Sequence, residues 1–175
     1  MSFGLGLSLP EVMIRISKNT ADPVFETVDV SDFAGLDVFD ITTIDGIDVS
    51  DFNYITGWCD NWQTSGAGTG IGIMLQLSVA TVFFVLDADY ELNNPGGGDT
   101  ATLGMQLGAT SSDALFWLTD TNVATRTLMQ AQNTVNQPSG FLVSDGVVDA
   151  LRFQITKTSG TPLFSTGLLY LTGYR

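Results

Sequence analysis

IGIMLQLSVATVFFVLDADYEL, residues 71–92, decides the fold class. It is the longest apolar run in the chain, and it is rich in Val, Ile, Leu and Phe, as buried strands are. Gln76, Ser78 and Thr81 interrupt it, and Asp87, Asp89 and Glu91 follow at a spacing of two. At roughly 3.3 Å per strand residue the run is too long for one typical strand. It predicts two strands, near 71–79 and 81–92, meeting at a bend or tight corner around 78–81. Turn signals flank it on both sides, which points to an all-β domain.

Working outward, the composition agrees. The chain has three Glu and two Lys, where helix-rich proteins lean on Glu, Lys and Ala. Its 175 residues fit one domain with a self-sufficient core, and 44% apolar against 14% charged residues rules out wholesale disorder. The formal net charge of −13, with no Lys/Arg cluster, argues against nucleic acid and against anionic membrane surfaces. It is compatible with a basic partner protein, a divalent cation, a neutral glycan or a salty medium. The first fifteen residues have no basic start, and Pro10 and Glu11 cut short their apolar part, so no signal peptide is predicted. The 71–86 run is shorter than the ~20 apolar residues a membrane helix needs. The expectation is a soluble protein made in the cytoplasm.

Two organising features lie before the central run. Leu5, Leu7 and Leu9 alternate with Gly and Ser, so residues 1–11, with Phe3, read as an extended arm. That arm is either a first strand or frayed terminus, or a segment that lays its leucines on a neighbouring subunit. The pentapeptide DVSDF occurs at 29–33 and again at 48–52, which predicts two similar strand-to-turn corners capped by Ser and Asp side chains. Strands are expected at 12–16, 24–30 and 36–41, with a turn at Asp45-Gly46. After the exposed loop at 93–99, strands are expected at 101–107, 114–119, 123–129, 140–143, 151–158 and 164–172. Residues 122–133 also carry a helical alternative. Ten or so strands with turns between them predict one β-sandwich over 12–175, jelly-roll-like in its most economical form.

Chemistry is sparse. The chain has no histidine, which removes Ser-His-Asp and Cys-His arrangements and most zinc sites. Cys59 beside Asp60 reads as a buried structural thiol. Gly66, Gly68, Gly70 and Gly72 imitate a nucleotide loop, but a strand follows where a helix is required. Sixteen Asp against three Glu suit turns and solvated surface better than a glycosidase pair, which inventory alone does not exclude. Asp87, Asp89 and Glu91 on one strand face are the candidate calcium ligands; the alternative is a solvated strand face. They form no EF-hand, since Leu92 and Gly98 stand where Gly and Glu are required. Tyr54, Trp58 and Trp62, with Trp117, are either core or a stacking platform for sugar rings.

The two ends carry a resemblance. FGLGLSLP at 3–10 and LLYLTGYR at 168–175 resemble the ends of small β-rich virion proteins of tailed bacteriophages. That resemblance implies an accessory structural protein: a capsid decoration or cement protein, or a tail or fibre component. It implies a homotrimer that contacts other virion structural proteins; no catalytic or binding residue here matches a family pattern, so none is carried over, and no cofactor is expected beyond the candidate calcium. The expected function is therefore non-enzymatic assembly on a virion. The rivals are a carbohydrate- or receptor-binding module of a tail fibre and a carboxylate-based glycoside hydrolase.

Overall fold

The structure, a computed structural model, describes residues 22–84, 90–93, 105–108, 111–133, 137–142 and 145–175. The expected arm at 1–11 and the strand at 12–16 lie outside the described residues. Strand β1 (Val24–Asp29) leads through a 3-10 turn to β2 (Val38–Ile41). A hairpin of β3 (Thr43–Ile44) and β4 (Ile47–Asp48) precedes a second 3-10 turn and β5 (Tyr54–Ser65). Next come β6 (Gly68–Thr69), β7 (Gly72–Val79), β8 (Val82–Phe83), β9 (Tyr90–Asn93) and β10 (Met105–Gly108). The chain continues through β11 (Ser111–Thr119), β12 (Leu128–Asn133) and β13 (Ser139–Leu142). It closes with β14 (Val148–Thr156), β15 (Ser159–Gly160) and β16 (Leu163–Tyr174).

Seven strands form one antiparallel sheet in the order β1-β16-β5-β11-β12-β13-β9. The second sheet runs β10-β7-β14-β2, with β8 paired to β7. Setting aside β8 and the β12-β13-β9 extension leaves two four-stranded layers. In them β1 pairs with β16, β2 with β14, β5 with β11, and β7 with β10. First pairs with last and second with second-to-last, which is the winding of a jelly roll. The all-β sandwich is as the sequence predicts, and no α-helix occurs among the described residues. Within 122–133 the helical alternative fails: Met129 and Ala131 point inward while Gln130 and Gln132 point out, a period of two.

Strand β7 is buried at both parities although only one is apolar: Ile73, Leu75 and Leu77 hold one face, and Gly72, Met74, Gln76 and Ser78 the other. Residues 72–78 are buried on both faces of the smaller sheet. On its outer face the polar groups are partnered: Gln76 donates to Gln154 at 2.9 Å, and Arg152 grips Asp40 at 2.7 and 2.8 Å while lying over the Phe83 ring. The hydrogen bond from Arg152 to Asp40 raises the guanidinium pKa above its ordinary value. The expected corner at 78–81 is a two-residue turn with Ala80 and Thr81 at φ of 51° and 66°. Asp149 holds it, accepting from Ser78 Oγ at 2.5 Å and from Thr81 N at 2.6 Å. The single strand expected over 81–92 does not form. β8 pairs with β7 in the smaller sheet, whereas β9 pairs with β13 in the larger one.

The repeated pentapeptides do make two equivalent corners. Each gives a 3-10 turn that buries its Val, Val30 in one and Val49 in the other. Only the first is side-chain capped: Asp29 accepts from Ser31 N at 2.9 Å, and its hydrogen bonds with Ser31 hold the carboxyl below its ordinary range. Phe33, which ends the first repeat, stacks on Phe39 at 4.3 Å. From there an aromatic cluster crosses the sandwich. Phe39 and Phe153 of the smaller sheet meet Trp62 and Phe164 of the larger one at 4.9–5.9 Å. Such pairs contribute about 0.5–1.5 kcal/mol each beyond the area they bury.

Trp62 reaches this cluster because the strand skips a beat. Ile55, Gly57 and Cys59 point inward, so strict alternation would put Trp62 outside with Tyr54, Thr56 and Trp58. Asn61 instead adopts φ of 51°, and the register with β16 and β11 shifts around it. This is a bulge, and it inverts the phase of every residue after it. Asp113 fixes it by accepting from Asn61 N at 2.7 Å, and Gly167 clears the space, since a Cβ there would sit 2.7 Å from the indole. Asn61→Gly is expected to leave stability within a few tenths of a kcal/mol. Asn61→Val, β-branched in a left-handed conformation, should cost about 1–2 kcal/mol in urea unfolding.

Candidate functional site

Alternation in the larger sheet sends one set of side chains to the core and leaves the other set on a broad outer face. Cross-strand pairing arranges that outer set in rows. One row runs Phe25, Thr172, Thr56, Trp117, Gln130, Ser139 across six strands. The next runs Thr27, Tyr170, Trp58, Leu115, Gln132. On the far side of the first lies Tyr174, Tyr54, Thr119, Leu128, Phe141, ending at Glu91.

These three rows are uncharged apart from Glu91, at the sheet's edge, in a chain of formal net charge −13. Glu91 is itself paired with Arg126 at 3.0 Å. The acids gather in a fourth row beyond Trp58, where Asp29, Asp60 and Asp113 mark the end of the face. Phe25 is 66% exposed, Trp58 45%, Leu115 43% and Phe141 41%. Trp58 stacks on Tyr170 with ring centres 5.2 Å apart, and Tyr54 leans on Tyr174 at 5.4 Å. Partial burial, then the charge of Tyr174, raises the Tyr54 pKa, so the Tyr54 phenol stays a protonated donor at neutral pH. Trp117 forms one wall of a shallow groove of about 220 Å³, with Gln130, Gln132, Gln137 and Ser139 around it.

The residues singled out from sequence divide cleanly. Tyr54 and Trp58 belong to this face. Trp62 does not: it is 1% exposed, its indole N–H donates to the Leu168 carbonyl at 2.7 Å, and the Asn61 bulge is what turned it inward. Asp87 and Asp89 lie outside the described residues, as do Phe3, Leu5, Leu7 and Leu9. Glu91 is described, and its partner is Arg126. Among the described residues no three Asp, Glu or Cys side chains converge as a metal site. A separate depression of about 400 Å³ is lined by Asp48 and Asp51 together with Arg175, so a cation already stands beside those acids. Cys59 is buried, and burial, with the Asp113 charge second, pushes its thiol pKa up, away from a reactive thiolate.

Sequence reasoning passed over Phe25, Leu115, Tyr170 and Phe141. The signal was there in 168–174, LLYLTGY, whose two parities are both apolar: Leu169 and Leu171 for the core, Tyr170 and Tyr174 for the surface. The chain matches no protein-family model and no curated protein. No helix among the described residues is long and apolar enough to cross a membrane.

The two tryptophans of β5 should therefore separate in one experiment. Trp62→Ala is expected to lose about 3–5 kcal/mol in urea unfolding. Trp58→Ala should lose about 1 kcal/mol, mostly its stack on Tyr170. Acrylamide should quench the Trp58 emission and leave that of Trp62 nearly untouched.

Proposed function

We propose that this chain is a non-enzymatic structural module that self-associates and docks on a larger assembly, in the manner of the tailed-phage accessory proteins its two ends resemble. The observation that carries this reading is the charge-free aromatic face. A −13 chain stays in solution by presenting carboxylates, and this one keeps them off one sheet face that instead presents Phe25, Trp58, Leu115 and Phe141. Exposed aromatic and aliphatic side chains gathered on one face and rimmed by polar residues are the mark of a contact surface. Aromatic enrichment with charge depleted from the centre is the composition of a protein interface core.

A second reading has its own observation. Trp117 with the amides of Gln130 and Gln132 offers a stacking ring beside groups that both donate and accept, which suits a neutral glycan, and would make the chain the binding module of a fibre.

Gradient-purified phage particles encoding the chain should contain it at the copy number of a structural subunit, as counted by mass spectrometry. Recovery only from the soluble fraction would overturn the assembly reading, as would turnover of a glycoside panel that an Asp→Asn change abolishes. Glycan-array hits lost in Trp117→Ala would favour the second reading.

A further inference from the structure

We infer that the outer face of the seven-stranded sheet is covered by the same face of a second copy of this chain, related by a two-fold axis that runs across the strands. This deepens the assembly reading and rests on it for its biological purpose.

Charge permits the partner. Two molecules of net charge −13 repel wherever their carboxylates approach, and the three uncharged rows are a described area where two copies can close without burying like charges. Size is adequate for a weak contact. The uncharged rows reach across at most six strands about 4.8 Å apart, with about 6.6 Å between rows, and give a face of about 500 Å² per copy. The pair would bury about 1,000 Å², the size of a weak interface and below the range of stable ones, so the complex should dissociate on dilution. Shape fits too, because two sheet faces pack aligned at about 10 Å spacing, as the layers of a sandwich do. Strand β11 is fourth of the seven, which puts Leu115 and Trp117 at the centre with Trp58 beside them. Central aromatic anchors are where interface energy concentrates.

Charge also selects the symmetry. Asp29, Asp60 and Asp113 lie at one end of the rows, and Tyr54 and Tyr174 at the other. An axis parallel to the strands, whether two-fold or the three-fold of a trimer, would bring the acidic ends of all copies together. An axis across the strands reverses the row order in the partner. The acidic row of one copy then lies over the tyrosine row of the other, where phenol O–H groups can donate to carboxylates. The same strand lies antiparallel over its own copy, and every contact is made twice.

The test is sedimentation velocity of the full chain from low micromolar to near-millimolar concentration. The expected result is a reversible species of twice the 18.7 kDa chain mass. Leu115→Glu should weaken it at least tenfold, whereas Val82→Glu, exposed on the smaller sheet, should leave it unchanged. Circular dichroism and an unaltered Tm establish that Leu115→Glu is folded; Phe25→Glu on the edge strand is the second variant and should also weaken pairing. Asp60→Asn should not tighten it. A monomer at every concentration, an oligomer indifferent to Leu115→Glu and Phe25→Glu, or a trimer would overturn the inference. So would tenfold tightening by Asp60→Asn, which would mean that acids face acids. A chain found on particles yet monomeric in solution sinks this inference alone, and a dimer absent from particles sinks only the assembly reading.

Discussion

One extra residue, Asn61, decides what each side of the larger sheet is for. A strand carries its side chains with a period of two, so a single bulged residue exchanges the two faces for everything downstream. Before Asn61, β5 shows Tyr54, Thr56 and Trp58 to the outside; after it, Trp62 points to the core. The hydrogen bond from Asn61 N to Asp113 and the absence of a side chain at Gly167 hold that change in place across three adjacent strands. Without it the sandwich would lose its largest buried side chain, and the outer face would gain another tryptophan beside the exposed Trp58 and the half-buried Trp117.

The bulge thereby couples stability to surface. Trp62 closes the aromatic cluster that joins the layers, touching Phe39 and Phe153 from the smaller sheet and Phe164 from its own. With the core anchored there, Trp58 and Tyr170 are not needed inside. Gly57 makes the same point from the inner side: a Cβ at that position would fall 2.1 Å from the Phe116 ring, so the core is filled to the backbone opposite Trp58. A core that full leaves the outward aromatics free to serve contact.

How much of this was legible follows from what a linear pattern can carry. Residues 71–79 are legible as a strand because Ile71, Ile73, Leu75, Leu77 and Val79 recur at a period of two, while the burial of Gln76 and Ser78 on the other face is not, since their partners Gln154 and Asp149 lie far along the chain. The turn at Asp45-Gly46 and the corner near 78–81 were legible through local backbone chemistry. The unity of 81–92 was not a safe inference, because composition is indifferent to which sheet a strand joins, and β8 and β9 join different ones. Trp62 was misgrouped with Trp58 for a similar reason. Its spacing from Trp58 predicts a shared face, and only a three-dimensional register, set partly by Asp113 more than fifty residues away, reveals the inversion. The uncharged face was hidden in the same way. Its members come from β1, β5, β11, β12, β13 and β16, and no stretch of sequence holds more than four of them.

The distribution of charge is the remaining constraint. With 19 acids against 6 bases, carboxylates scattered at random over outward positions would fall throughout the large sheet, yet they stop at Asp29, Asp60 and Asp113 on one side and Glu91 on the other. For folding alone this arrangement is unfavourable, since leaving Phe25 or Leu115 in water forgoes roughly 25 cal/mol per Å² of apolar area. Nor does solubility call for it, because carboxylates on these rows would serve solubility better. A partner over the face, as proposed, would account for both losses at once: it would recover the apolar area, and a second acidic copy would be repelled by acids placed there. The arrangement of the rows thus answers neither of the demands a solitary molecule makes, and it is this mismatch that the proposed contact is meant to explain.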